Sequence, residues 1–341
     1  MIPENIIISR TDSIGDVVLT LPMAKIIKEK FPDCRIAFLG KEYTKPVIRA
    51  CTFIDQFISL NDFMNKKVAV AGAAPQCIIH VLPHKAVARR AKDIGIKLRI
   101  GTTNRIFHWT TCNKLVKLSR KNSDLHESQL NLKLLSPLGI TNDFSLSKIQ
   151  HDFGLTRIQP LGPSLARLID PLKYNIILHP KSQGNGREWG LSNFIALINL
   201  LETDRFNIFV SGTEAERPLL QPIFDHVPGR VTDLTGQMDL YQFMSFINRC
   251  DGLVASGTGP LHLAAALGKD AFGIFPPMRP IHPGRWAPLG EGAKVFVADK
   301  PCGKCRKNPS DCECMTAIQP IAVMEELEKR FQSKTGTSQF V

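Results

Sequence analysis

The chain has 341 residues, 43% of them hydrophobic and 22% charged. It is long enough for two cores of about 150 residues each, and its average composition excludes both wholesale disorder and an integral membrane protein. The formal net charge of +12 is unevenly spread: residues 1–157 hold 24 Lys/Arg against 13 Asp/Glu, while residues 158–341 hold 19 against 18. No run approaches the roughly 18 uninterrupted apolar residues of a spanning helix. The opening Met1-Ile-Pro-Glu-Asn leads into a strand without a basic leader, so a cytoplasmic location is expected. Nine cysteines, an odd number, fit a reducing compartment.

The first apolar run, Asn5–Ser9, reads as an interior strand. After it come Arg10-Thr-Asp-Ser-Ile-Gly-Asp16 and a helix expected over 15–31. Asp12 reads as a helix cap, worth about 0.5–2 kcal/mol without any function. Asp16 lies one turn further in, at the carboxyl end of the strand, and is the candidate general base for a hydroxyl nucleophile. Further strands are expected over 35–39, 56–60, 77–82 and 97–100, with helical stretches between them, which is a parallel α/β pattern. Residues 85–121 carry eleven basic side chains against the single acid Asp93, a patch that suits an anionic partner. Arg89, Arg90 and Lys92 are its candidate acceptor contacts. Nucleic acid is disfavoured, because the patch has little aromatic interleaving beyond Phe107 and Trp109. A periodic helix over 125–138, ended by Gly139, closes the first half.

Pro160, Gly162, Pro163 and Pro171 punctuate residues 158–173, which places a boundary between domains 1–160 and 161–341. The second half repeats the alternation: strands over 175–179, 207–211, 232–234, 252–255 and Asp270–Phe275, with helices over 191–201 and 240–250. Two doubly wound, Rossmann-like domains facing across a cleft are expected, with ligands at the carboxyl ends of the strands. The polar tail after Gln332 is expected to fray.

Three loops of the second half carry candidate donor contacts. His179-Pro-Lys181-Ser-Gln-Gly-Asn-Gly-Arg187 supplies two cations. Ser211-Gly-Thr-Glu214-Ala-Glu216 offers a carboxylate, Glu216, for ribose hydroxyls, although glutamate there also caps a helix. Ser256-Gly-Thr-Gly-Pro-Leu-His-Leu-Ala-Ala-Ala-Leu-Gly268 turns a buried strand into a helix through two glycines, with Pro260 suited to the first turn and Gly268 to the end. Backbone N–H groups over Thr258, Gly259, Pro260, Leu261 and His262 would face an anion such as a diphosphate. A helix terminus contributes at most about 2 kcal/mol, whereas micromolar binding needs about 8 kcal/mol, so Lys181 and Arg187 are assigned part of the rest. A nicotinamide enzyme is disfavoured, since Leu261 and His262 break the G-x-G-x-x-G pattern. No D-x-D pair occurs to hold a divalent metal against a nucleotide diphosphate, so no metal and no cofactor are expected. Cys302, Cys305, Cys312 and Cys314 lie within thirteen residues; a surface loop of reduced thiols is expected there rather than a metal site.

Together these segments resemble glycosyltransferase family nine, the heptosyltransferases of lipopolysaccharide core assembly, over nearly the whole chain. The resemblance rests on Ser-Ile-Gly15-Asp16-Val-Val-Leu-Thr-Leu-Pro22, on His126-Glu-x-x-x-Asn131-Leu-x-Leu-Leu, on Leu234-Thr-Gly236-x-Met238-x-Leu240, and above all on Gly257-Thr-Gly-Pro-Leu-His262. It implies a GT-B fold with the acceptor in the N-terminal domain and the nucleotide sugar in the C-terminal one. It also implies inverting, metal-independent transfer with Asp16 as base and Arg187 at the leaving group, Met238 among the donor contacts, and work at the cytoplasmic membrane face. The implied donor is ADP-heptose or a related nucleotide sugar, and the implied acceptor an anionic glycolipid. Many relatives carry an aspartate where this chain has Gly257, and a lysine where it has Arg187. A non-catalytic glycolipid- or polyanion-binding homologue with a decayed donor site is the alternative left open.

Overall fold

The computed structural model describes residues 3–120, 123–141, 144–182, 186–299 and 312–337. The chain forms two compact units, Met1–Arg157 and Ile158–Val341. In the first, strands β1 (Asn5–Ser9), β2 (Arg35–Gly40), β3 (Gln56–Ser59), β4 (Cys77–His80), β5 (Leu98–Thr102) and β6 (Lys114–Val116) form one sheet in the order β3-β2-β1-β4-β5-β6. Every pairing is parallel. All five residues of β1 are buried, as expected for a central strand covered by helices on both faces.

The second unit repeats the order with β7 (Tyr174–His179), β8 (Phe206–Val210), β9 (Thr232–Asp233), β10 (Gly252–Ser256), β11 (Asp270–Phe275) and β12 (Ala293–Val297), arranged β12-β11-β10-β7-β8-β9. Both sheets are therefore doubly wound. In each, the winding reverses beside the first strand, between β1 and β4 and between β7 and β10. Open α/β sheets bind their ligands at the carboxyl ends of strands at such a reversal.

Several elements differ from the sequence reading. The helix expected over 15–31 is two helices, Ile14–Val18 and Pro22–Lys30, because Pro22 has no N–H to continue the ladder. The helix expected over 125–138 is α-helical only at Glu127–Leu132; it tightens to a 3-10 helix over Lys133–Leu138, which contains Pro137, and ends at Gly139 with φ of 74°. β6 and β12 are not among the strands expected from the sequence; both are edge strands without a fully buried residue. Of the tail expected to fray after Gln332, the part up to Thr337 belongs to the helix Pro320–Thr337, where Lys334 Nζ lies 2.8 Å from an Asp251 carboxylate oxygen and holds the last turns against the unit; residues 338–341 lie outside the described residues.

Cys34, Cys51, Cys77, Cys112 and Cys250 are buried, as their apolar surroundings suggested. Burial pushes the thiols of Cys34, Cys51 and Cys112 up to about 11. Cys302 and Cys305 lie outside the described residues. Cys312 and Cys314 contradict the surface-loop expectation: both are buried, their sulfurs 3.3 Å apart, in the core that also takes in Trp189, Met315 and Ile318. The apolar run around Met315 draws the segment inward.

Candidate active site

In the first unit a buried arginine organises the carboxyl end of β1. Arg10 is 3% exposed and its guanidinium meets three carboxylates. Nε bonds Asp12 at 2.7 Å, Nη1 bonds Glu127 at 3.0 Å, and Nη2 bonds Asp16. Burial by itself would lower the Arg10 pKa; the fields of Asp16, Asp12 and Glu127 more than reverse this and raise it. Glu127, fully buried, also accepts from Arg120 Nε at 2.9 Å, and Asn131 Oδ1 accepts from Arg120 at 3.0 Å. Arg120 further bonds the carbonyl of Val81, the residue after β4. The network thus spans the two strands at which the sheet reverses.

Asp16 sits in the Ile14–Val18 helix with its carboxylate partly open to solvent. One of its oxygens accepts from Arg10 and the other from the Ser13 hydroxyl. Each carboxylate oxygen has two lone-pair sites, so both keep room for one more donor, such as an acceptor hydroxyl. The backbone below is fixed too. Thr20 Oγ1 donates to Asp16 O at 2.8 Å, and Ser128 Oγ and Asn131 Nδ2 both donate to Leu19 O. Asp12 has no capping bond to its credit; it pairs with Arg10, and its carbonyl accepts from Tyr43. Sequence reasoning gave Arg10 and Glu127 no role, although an arginine closing a run of isoleucines and followed by two aspartates was a signal.

The basic segment does not act as one patch. Arg99 bonds the carbonyls of Thr111 and Ile96, and Arg120 belongs to the Glu127 network. Lys121 lies outside the described residues. The proposed acceptor trio is also divided: Arg89 and Lys92 are exposed, whereas Arg90 is half-buried and turns to the carbonyl of Lys66 at 3.3 Å. One helical step of about 100° separates Arg90 from Arg89, which is enough to send them to different faces.

In the second unit the candidate donor residues follow the carboxyl ends of β7, β8, β9 and β10. The helix Gly259–Ala266 begins directly after β10, with Thr258 as its N-cap and Pro260 in its first turn. A threonine there ordinarily spends its hydroxyl on the N–H of the second or third helical residue. Thr258 makes no such bond, and its Oγ1 and the Oγ of Ser256 are buried with no hydrogen-bond partner among the described residues. Leaving a buried polar group unmet costs about 1–3 kcal/mol. Of the N–H donors assigned to the anion, Pro260 has none and that of His262 is used on Thr258 O at 3.4 Å, which corrects the span read from sequence. Gly259 and Leu261 remain the first-turn donors to which helix geometry gives no internal partner.

Gly257 is explained by packing. A Cβ at this position would lie 2.6 Å from the Phe275 ring, so the side chain at 275 occupies the space that any larger residue at 257 would need. The loop after β7 runs alongside: a Cβ built at Gly186 would be 3.9 Å from the Gly257 carbonyl oxygen, which brings the half-buried Arg187 next to the turn. Lys181 is less available than its position suggested, since its ammonium pairs with Glu188 at 2.5 Å. Glu216 takes the capping role: its carboxylate accepts from Thr213 N at 2.7 Å, closing a capping box. Met238 is half-buried, one residue before Asp239, the N-cap of the helix Leu240–Arg249. His179 Nδ1 lies 3.0 Å from Ser211 Oγ, and burial lowers this imidazole to about 4.

Two doubly wound units of this kind are the architecture of GT-B glycosyltransferases, and comparisons narrow the class. Residues 92–316 match the profile of glycosyltransferase family 9 (heptosyltransferase). A curated Haemophilus influenzae protein, named as a candidate glycosyltransferase, is 22% identical over 314 residues, covering 88% of this chain and 90% of its own. Among solved structures, the glycosyl transferase family 9 protein of Veillonella parvula DSM 2008 superposes with a TM-score of 0.75 at 17% identity, covering 96% of this chain and 97% of its own. The E. coli ADP-heptose lps heptosyltransferase II superposes at 0.73 with 15% identity, covering 97% and 99%. The chain belongs to glycosyltransferase family 9 and is a glycosyltransferase.

Proposed function

We propose that the protein is an inverting transferase that moves a heptose, or a closely related sugar, from ADP-heptose to an inner-core lipopolysaccharide or similar anionic glycolipid. The family match supports the sugar class, and the name of the E. coli relative supports the donor and the acceptor. In this reading the acceptor hydroxyl gives its proton to Asp16 as its oxygen attacks the anomeric carbon. The bond from that carbon to the diphosphate breaks from the opposite side, and the nucleoside diphosphate leaves with the electron pair. Arg10 and Ser13 hold the Asp16 carboxylate, so that little reorganisation is needed when the hydroxyl arrives.

The observation that carries the donor half is the pair of unmet buried hydroxyls, Ser256 and Thr258, at the start of the Gly259–Ala266 helix. With the N–H groups of Gly259 and Leu261, and with Arg187 on the adjoining loop, they offer donors suited to a diphosphate. Lys181, Glu216, Met238 and His262 complete the proposed donor contacts, Lys181 after releasing Glu188. Arg89 and Lys92 are the stronger candidates for the acceptor's charge, with Arg90 a secondary one. No metal is assigned to the reaction, so transfer should survive a chelator. Among the described residues no helix is long and apolar enough to cross a membrane; a peripheral position on the cytoplasmic membrane face is proposed, with neither nucleic acid nor a cofactor as a partner.

The test is a thermal-shift screen of ADP-, GDP- and UDP-sugars followed by a transfer assay. A ligand that binds the folded state alone raises its stability as RT ln(1 + [L]/Kd), so ADP-heptose should give the largest shift. A larger shift with GDP- or UDP-sugars, or full loss of transfer in EDTA restored by magnesium, would overturn the assignment.

A further inference from the structure

Two neighbouring helices of the first unit place apolar and basic side chains together on one open face. In the helix Ile106–Thr111 the inner positions His108 and Thr111 are buried, while Ile106 is 89% exposed and Trp109 63% exposed. Spacings of three and four residues put Ile106, Trp109 and Thr110 on the same side. Trp109 is not loose: its indole N–H donates to the Thr103 carbonyl at 3.0 Å, which satisfies the ring's polar edge and leaves its apolar surface outward.

Beside it, the helix Lys85–Asp93 buries Val87, Ala88 and Ala91 and exposes Lys85, Arg89 and Lys92, again at spacings of four and three. Lys92 Nζ donates to the Thr110 carbonyl at 2.9 Å and ties the two helices. Between them lies a groove of about 520 Å³ whose lining includes Lys85, Arg89, Lys92, Ile106 and Phe107, with Asp93 as its one acid. Arg105, also exposed, extends the positive charge to the start of the second helix.

We propose that this face docks the protein on a bilayer containing anionic phospholipid, with Ile106 and Trp109 entering the interface and Lys85, Arg89, Lys92 and Arg105 meeting the lipid phosphates. Charge complementarity selects this occupant. Single exposed apolar residues need no explanation, but an exposed tryptophan with its indole N–H satisfied and an almost fully exposed isoleucine beside four cations do. A protein partner would need a matching acidic rim around an apolar pocket. An anionic bilayer offers phosphates above and hydrocarbon below in that order, and tryptophan favours the boundary between them. The inference rests on the proposed function only in that a lipid-held acceptor brings the enzyme to a membrane; vesicle binding itself needs no substrate.

The experiment is co-sedimentation of the whole protein with vesicles of phosphatidylglycerol and phosphatidylethanolamine, against vesicles of phosphatidylcholine. Binding is expected to the anionic vesicles and to weaken by about tenfold or more when salt is raised to about 0.5 M. The double variant Ile106→Ser/Trp109→Ser should lose vesicle binding while keeping transfer to a water-soluble acceptor fragment. The triple reversal Lys85→Glu/Arg89→Glu/Lys92→Glu should lose vesicle binding as well. As a check on the native chain, brominated lipid should quench part of its tryptophan emission, and Trp109→Phe should remove that part. The proposal is overturned if the native protein ignores anionic vesicles at low salt, if binding survives both sets of substitutions, or if heparin binds while vesicles do not. If vesicle binding follows the expectation but no ADP-heptose transfer is found, the docking face stands and the proposed function falls.

Discussion

The two units share one strand order and differ in what they build where the sheet reverses: the first a closed network of charges, the second a helix start, while buried hydroxyls with no partner among the described residues occur in both, at Ser9 and Thr11 and at Ser256 and Thr258. In the first, Arg10, Asp12, Asp16, Arg120 and Glu127 satisfy one another, and Asp16 is held in place before any ligand arrives. In the second, Ser256 and Thr258 keep buried hydroxyls unmet at a helix start. The first arrangement suits a group that must act in one geometry. The second is, in the function proposed, completed by the donor's diphosphate. The same topology therefore supplies a place, while side chains decide what is held there.

The largest effect expected from breaking this contrast is on the fixed carboxylate. Asp16→Asn should leave folding and donor affinity unchanged while transfer falls by about 10²–10⁴-fold, the usual share of general-base catalysis. Turnover near that of the native protein in a single-turnover assay would remove Asp16 from the chemistry.

Glu127 tests the network that holds it. Glu127→Ala removes the carboxylate shared by the buried Arg10 and the partly buried Arg120, leaving them only the neutral Asn131 Oδ1 in common among the described residues, and should cost about 3–5 kcal/mol in a denaturant titration. Transfer should fall in the folded variant as well, with donor Kd unmoved. A loss under about 1 kcal/mol would mean that solvent reaches Arg10 and the network is not closed.

A pH titration compares the units directly. His80, fully buried at the reversal point of the first unit beside His108, has its pKa lowered to about 3 by burial, with His108, Arg99 and His84 adding to the effect. His108 is lowered too, mainly by burial. In the unfolded chain these imidazoles titrate near 6.5. Above that pH both states are neutral and stability is unaffected; as pH falls below it, the unfolded chain takes up protons that the native one refuses. Stability should then drop by about 1.4 kcal/mol per pH unit for each such histidine, down to its native pKa. His179 adds the same kind of loss to the second unit, ending near pH 4. His80→Gln should flatten the acid limb of the first unit alone; an unchanged limb would place the acid sensitivity elsewhere.

The smallest effect is the sharpest on the second unit. Thr258→Val removes an unmet hydroxyl, so the unliganded protein should be no less stable, while donor Kd should weaken by about tenfold, the worth of one hydrogen bond to a charged group. If affinity is unchanged and stability rises, the hydroxyl is a packing defect and not a ligand contact.

Much of this was readable from residues. Apolar runs broken by glycine and proline marked the strands of both sheets apart from β6 and β12, edge strands in which no residue is fully buried. The segment 256–268 announced a strand, a turn and a helix start through residues adjacent in the chain, and Asp16 followed its strand closely enough to be picked out. Glu216 shows where that kind of reading divides: its position allowed a cap or a ligand contact, and the capping box is formed.

Local pattern determined the strand–turn–helix units and the place of Asp16 and Thr258 within them, because backbone propensity and hydrophobic period act over a few residues. Only the tertiary structure decided what those residues touch. Glu127 reaches Arg10 across 117 positions of chain, Phe275 fills the space above Gly257, and Arg89 parts from Arg90 according to which face of a helix is covered. Such contacts are set by how elements pack in space, and the charges, unmet hydroxyls and exposed rings that they leave behind carry the chemistry.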